Sequence, residues 1–300
     1  MGNGAHVHVA FTLLLSGVVP PGARAADPEP TAIEAAGTAF PALIAGDGEP
    51  VIFVHGSFSD HRAWAGLEPE VAETHRFIAY DQRGFGTGTW PADDTYSRDA
   101  HTADLVAILQ TLDEPANLVG WSYSGPIVLR AAAEVPELVK SVVVYEPSMP
   151  EVLSGDPEAE AARDAWFGIW ADTDAAVQAG DNEEAIREGI EAALGMPEGG
   201  FEIQDPALQR MQLENAHTVP LDWSAPPPAD LLCVELATIE APTLVIAGAT
   251  THPAWILTQK VIAACVPDAE TAVIEGVGHG GPVAAEAEFL RLTLGFIDAH

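Results

Sequence analysis

Apolar residues fall along the chain in short, unbroken, β-branched runs: VIFV (51–54), FIAY (77–80), NLVG (117–120), SVVVY (141–145), TLVIA (243–247) and TAVI (271–274). A strand with one wet face alternates apolar and polar positions, whereas an unbroken run predicts a strand covered on both faces and so a largely parallel sheet. Between the runs, DAHTADLVAILQTL and GPIVLRAAAEV carry helical patterns, so strand and helix alternate as a doubly wound α/β architecture requires. Two earlier segments, TAIEAA and TAFPALIA, precede the Gly46-Asp47-Gly48 turn and predict a hairpin at the sheet edge.

From Pro147 to about Ala241 the strand rhythm stops, and the chain turns acidic, helical and punctuated by Pro and Gly, including Pro226 to Pro228. This stretch reads as a helical cap, residues 147–241, inserted after the sixth strand of a core formed by residues 26–146 and 242–300. No internal repeat or long low-complexity tract interrupts that plan. At the start, AFTLLLSGVV is too short to span a bilayer and is followed by Ala23-Arg24-Ala25, an A-x-A-like cleavage site. Residues 1–25 are therefore expected to be a signal peptide, although MGNGAHVHV lacks the usual Lys or Arg. The mature chain is then secreted or periplasmic, and cytoplasmic if the segment is not a working signal.

Forty-five acids against twelve Lys and Arg give a formal charge of -33. Such a surface repels nucleic acid and anionic membranes, so neither is an expected partner and no stable membrane association is expected after signal cleavage. Lys140 and Lys260 are the only lysines, which suits either a salty medium or an acidic, Arg-biased proteome. The two cysteines, Cys233 and Cys265, have no metal-ligand spacing, and an exported chain would pair them or leave two buried thiols. Neither a metal nor an organic cofactor is expected.

Chemistry concentrates in NLVGWSYSGPIVLRAA, where Ser122 follows a predicted strand and precedes a helix. Gly120 and Ser124, two positions either side, are small enough for a sharp turn that lifts a hydroxyl above the sheet. The helix N-terminus favours developing negative charge, the Tyr123 amide is placed to donate to an oxyanion, and Pro126 suits a first helical turn. Ser122 as a plain helix N-cap, or Ser124 as the nucleophile, are the competing readings. The pattern departs from G-x-S-x-G because Ser124 replaces the second glycine.

Taken in order over residues 31–300, HGSFSDHRAW, YDQRGFGTG, GWSYSG, PTLVIAG and GVGHGGP resemble the α/β-hydrolase superfamily. The resemblance implies that fold, with Ser122 as nucleophile, His279 of GVGHGG as general base, and oxyanion donors from the amides of Tyr123 and of Ser57 or Phe58 after the His-Gly turn. His55 and Arg83 are then architectural. Many relatives carry an Asp shortly after PTLVIAG, but this chain reads ATTHPAW, where Thr250 and Thr251 cannot hold an imidazolium by charge. The other acid position of the superfamily, at the end of the preceding core strand, is filled by Glu146 after SVVVY, making Glu146 the expected third member. The alternative makes Glu146 a hinge carboxylate and leaves a Ser-His dyad.

The implied activity is hydrolysis of a small, apolar carboxylic ester through an acyl-enzyme, with a small-molecule ester as the partner. Lactonase, C–C bond hydrolase, peptidase and perhydrolase chemistry use the same triad, and a catalytically silent binding protein is the reading from another class. A serine nucleophile argues against dehalogenase or epoxide hydrolase chemistry, which use an aspartate in this superfamily. Trp166, Phe167, Trp170, Phe201, Met211 and Trp223 either line a hydrophobic pocket or form the cap's own core, and the second role is expected for most.

Overall fold

A computed structural model describes residues 31–88, 90, 96–229 and 231–300, so the expected signal peptide lies outside the described residues. Among the described residues eight strands form one sheet: β1 (Thr31–Ala35), β2 (Thr38–Ala45), β3 (Glu49–Val54), β4 (His75–Tyr80), β5 (Ala116–Trp121), β6 (Val139–Tyr145), β7 (Thr243–Gly248) and β8 (Ala269–Ile274). Their spatial order is β1-β2-β4-β3-β5-β6-β7-β8, with β1 and β2 antiparallel and all pairs from β4 to β8 parallel. The edge hairpin closes on Ala36 and Gly37, both left-handed, which matches the strand twist. Each unbroken apolar run of the sequence lies in a strand, and in the inner strands consecutive side chains enter opposite layers, whereas in the edge strand β8 Val273 is exposed. Ile52 and Val54 pack with one layer of helices, whereas Val51 and Phe53 pack with the other.

Chain order reverses between β4-β3 and β3-β5, so the connections leave β3 and β5 in opposite directions and open a crevice at their carboxyl ends. The residues after β3, β5, β6 and β8 all emerge on that edge, since Val54 is paired with Gly120, Trp121 with Tyr145, Tyr145 with Ile246, and Gly248 with Ile274.

Between β6 and β7 the chain runs through helices Pro157–Gly168, Ala171–Ala179, Asn182–Leu194, Pro206–Glu214 and Val219–Ser224. Asp156, Asp181 and Asp205 accept first-turn amides at three helix starts, and left-handed Gly180 and Gly195 end two helices. Part of this segment's acidity is therefore helix capping. Ile186, Ile190 and Phe201 give it a small core of its own, into which Phe58 of the β3 loop inserts. Among the described residues no helix is long and apolar enough to cross a membrane.

Cys233 and Cys265 are disulfide-bonded across a sequence separation of 32, tying the return from the helical segment to the end of helix Pro253–Cys265. Of the two states left open by sequence, the chain adopts the paired one. A loop of that length is worth about 3–4 kcal/mol through restriction of the unfolded chain. Urea unfolding of the Cys233→Ser, Cys265→Ser double variant is expected to show a loss on that scale, and wild type in reductant the same loss.

Candidate active site

Among the described residues four non-glycine residues adopt positive φ: Ala36 in the hairpin turn, Phe58 at 59°, Ser122 at 55° and Glu146 at 43°. Backbone strain of this kind costs on the order of 1–3 kcal/mol per residue and persists where surrounding structure over-determines it. Three of the four follow β3, β5 and β6 at the crevice edge.

At the β5 turn a Cβ on Gly120 would stand 2.7 Å from Val128 Cγ2 and 3.1 Å from the Ser124 carbonyl. Only glycine lets the helix Gly125–Glu134 start so close to the strand. Ser124, by contrast, has a side chain with its own bonds to make. Its hydroxyl donates to the Val54 carbonyl at 2.6 Å and accepts from the Trp121 amide at 2.9 Å, stitching the turn to β3. The close approach falls one residue later, at Gly125, whose Cβ would meet Pro147 Cα at 2.6 Å. The departure from G-x-S-x-G thus has a local cause, and Ser124, fully buried and doubly bonded, is not presented to the cavity. Ser122 is, and its carbonyl accepts from the Ser148 amide at 2.9 Å.

His279 is buried in the loop after β8. Its Nδ1 donates to Glu146 Oε2 at 2.7 Å, which fixes the tautomer and leaves Nε2 as the unprotonated nitrogen. The ring lies flat on Trp255, centroids 4.4 Å apart at 11°, while Trp121 Nε1 donates to the His279 carbonyl at 2.9 Å. Tyr145 donates to the Gly278 carbonyl at 2.5 Å, so strand and indole anchor the loop backbone while Glu146 and Trp255 hold the ring, which keeps one edge on the cavity. Glu146 is also buried. Its Oε1 accepts the Gly248 amide at 2.8 Å, and Oε2 accepts the Thr251 hydroxyl at 2.9 Å. Thr251, which carries no charge to pair with an imidazolium, thus helps to hold the carboxylate that does contact His279.

On the β3 side, Gly56, Ser57, Phe58 and Ser59 line the same cavity as Ser122, Tyr123 and His279. A Cβ on Gly56 would lie 3.5 Å from Ser122 Cβ, so this turn abuts the serine. His55 is fully buried, donates from Nδ1 to the Gly56 carbonyl at 2.8 Å and accepts the Gln82 amide on Nε2 at 3.1 Å, locking the turn to the next loop. Arg83 is held by Asp104 at 2.8 and 2.6 Å and takes no place in the cavity lining.

The cavity is about 500 Å³. Trp166, Phe167, Trp170, Met211 and Trp223 line it, which corrects the expectation that most of these aromatic and thioether side chains serve only the helical segment's core. Phe201 alone keeps that role, because the side chain is fully enclosed by the segment's own helices.

Residues 49–282 match the family described as alpha/beta hydrolase fold. The chain belongs to that family. Among curated relatives of this α/β hydrolase, 2-hydroxymuconate semialdehyde hydrolase of Pseudomonas sp. (strain CF600) is 41% identical over 103 residues, covering 33% of this chain and 36% of the relative. Lipase LipV of Mycobacterium tuberculosis is 27% identical over 175 residues, covering 53% of this chain and 63% of the relative. The aligned stretches thus take in less than two thirds of either relative. Among solved structures, bromoperoxidase from Bacillus anthracis superposes with a TM-score of 0.73 at 23% identity, covering 90% of this chain and 99% of that one. At that identity the likeness is one of fold.

Several site residues of this α/β hydrolase carry no motif in the sequence. Trp255 lies within ATTHPAW, yet only the fold lays it on His279. Arg98, Ser148 and Asp222 join the cavity wall from three separate segments. One signal for Arg98 was present: it opens a helix directly after the Ser97 N-cap, where a cation opposes the helix dipole.

Asp60, His61 and Asp81 bring ligand-type atoms within 4.8 Å of one another. Asp60 is already paired with Arg62 at 2.7 Å and accepts from Asn215 at 2.8 Å, while Arg62 reaches Glu214 at 2.7 Å. The cluster therefore braces the β3 loop against the helical segment.

Behind Tyr123, His101 Nε2 donates to the Arg83 carbonyl at 2.9 Å and Nδ1 accepts the Tyr123 hydroxyl at 3.0 Å. Complete burial pushes the His101 pKa down to about 3 from the ordinary 6.5. The unfolded chain therefore binds a proton near pH 6.5 that the native chain refuses, and stability contributed by neutral His101 is lost as pH falls below that value. Between pH 7 and 5 wild type is expected to lose up to about 2 kcal/mol more than His101→Gln, a difference read by urea unfolding at both pH values.

Proposed function

We propose that this chain is a serine hydrolase that cleaves a small, largely apolar carboxylic ester through an acyl-enzyme. Ser122 attacks the carbonyl, and Nε2 of His279 takes the hydroxyl proton and returns it to the leaving alkoxide. Glu146 keeps Nδ1 protonated and stabilises the imidazolium formed during attack. The amides of Tyr123 and of Ser57 or Phe58 receive the oxyanion. Water then enters, is deprotonated by the same imidazole and releases the acid.

The observation that carries this reading is the Glu146–His279 bond, which leaves an unprotonated Nε2 on a ring lining the same apolar cavity as Ser122. The similarity to a lipase supports ester chemistry, and the similarity to 2-hydroxymuconate semialdehyde hydrolase favours C–C bond cleavage with the same residues as the second reading. The disulfide supports export to an oxidising compartment, secreted or periplasmic.

Hydrolysis of p-nitrophenyl esters from acetate to dodecanoate tests the proposal. Each added methylene that enters the cavity is worth about 0.8 kcal/mol, or about fourfold in kcat/KM, until the volume is filled. A rise followed by a fall with chain length is expected. No turnover of any ester, with cleavage of a vinylogous 1,5-diketone instead, would move the assignment to C–C bond hydrolysis.

A further inference from the structure

The cavity wall carries a cluster of tryptophans on one side and a pair of charged groups among aromatic rings on the other. On the His279 side Trp166 packs against Trp255 and Trp170, with ring centroids 5.6 and 5.7 Å apart. On the side of the Ser57–Phe58 turn stand Arg98, Asp222 and Ser148. The Arg98 guanidinium lies 4.8 Å from the Tyr123 ring centroid and donates to the Ser148 carbonyl at 3.1 Å and hydroxyl at 3.4 Å. That accounts for two of five N–H donors, and among the described residues Arg98 forms no ion pair. Among the described residues the Asp222 carboxylate accepts one hydrogen bond, from the Ser57 hydroxyl at a long 3.5 Å; burial raises its pKa above the ordinary carboxylate value, and the nearby Arg98 charge opposes that rise.

Both groups thus keep unused hydrogen-bonding capacity inside a cavity whose wall is mostly apolar, where such capacity is costly unless a ligand fills it. The placement of Arg98 points the same way, since a cation at a helix N-terminus works against the dipole and is not there to support the helix.

We propose that Arg98 and Asp222 form a substrate-recognition subsite for one neutral group that both accepts and donates hydrogen bonds, so that the preferred ester carries an amide or hydroxyl on its chain. The guanidinium donates to the carbonyl or hydroxyl oxygen, and the Asp222 carboxylate accepts the N–H or O–H. Opposite charges on the two residues balance, so a neutral group completes the site, while an anion meets Asp222 on a chain of formal charge -33. The subsite rests on the serine-hydrolase reading and names its substrate class.

Four p-nitrophenyl esters of similar chain length test it: heptanoate, 4-acetamidobutyrate, 7-hydroxyheptanoate and hydrogen pimelate, whose free end is a carboxylate. Wild type is expected to favour the amide or the hydroxyl ester over heptanoate by about tenfold or more in kcat/KM, because a site built for hydrogen bonds discriminates against an analogue that cannot make them. That ratio is expected to fall to about one in Arg98→Met and, independently, in Asp222→Leu, which a general loss of structure would not produce. A wild-type ratio near one, a ratio unchanged in both variants, or pimelate as the best substrate overturns the subsite while ester hydrolysis stands. If wild type cleaves none of the four and Ser122 does not react with a fluorophosphonate, the serine-hydrolase reading falls, and the subsite with it.

Discussion

Ser122→Ala is expected to lower kcat for the best p-nitrophenyl ester by about 10⁶-fold, to the level left by binding and the oxyanion donors alone. His279→Ala is expected to match it, since a nucleophile and its base act as one unit and their losses do not add. The fold has no need of the Ser122 hydroxyl: the β5 turn is held by Ser124 on Val54 and Trp121, and by the Ser148 amide on the Ser122 carbonyl. Removing one oxygen from a residue strained at a φ of 55° leaves those bonds in place. Unfolding curves of Ser122→Ala and wild type should therefore nearly coincide. Residual turnover within about tenfold of wild type would exclude Ser122 as nucleophile.

The second large effect concerns Glu146. Glu146→Gln is expected to cost about 10⁴ in kcat with little change in KM. A glutamine fits the same space, but one of its terminal atoms is an N–H₂ group. The Gly248 amide, the Thr251 hydroxyl and His279 Nδ1–H all seek acceptors there, and a single amide oxygen cannot serve all three. The imidazole is then free to take the tautomer with the proton on Nε2, which cannot accept from Ser122. The alternative of a Ser-His dyad, with Glu146 as a hinge carboxylate, predicts a loss of about tenfold or less. Burst kinetics with p-nitrophenyl acetate separate slowed acylation from slowed release.

The two outcomes bear on what was legible in the sequence. The inner strands were legible because both faces of each are covered, which turns alternation into unbroken runs such as VIFV and SVVVY, whereas TAVI lies in the edge strand β8, where Val273 is exposed. The turn at Ser122 was legible because strand, small residues and Pro126 are local. Glu146 was legible only as one of two roles, since its partner His279 lies 133 residues away and its backbone strain leaves no mark on residue type. Trp255 and Asp222 were not legible at all. Each is an ordinary helix residue until the sheet brings its helix to the crevice. The aromatic residues of the helical segment were misread for a related reason. A helix face turned toward a cavity and one turned toward a core carry the same apolar spacing.

The most direct test of the account is covalent: incubation of the folded chain with a fluorophosphonate, followed by peptide mass mapping. A single adduct on the peptide containing Ser122, absent in Ser122→Ala and strongly slowed in Glu146→Gln, is the predicted result. No adduct on folded wild type, or an adduct on Ser57 or Ser124 instead, would contradict it.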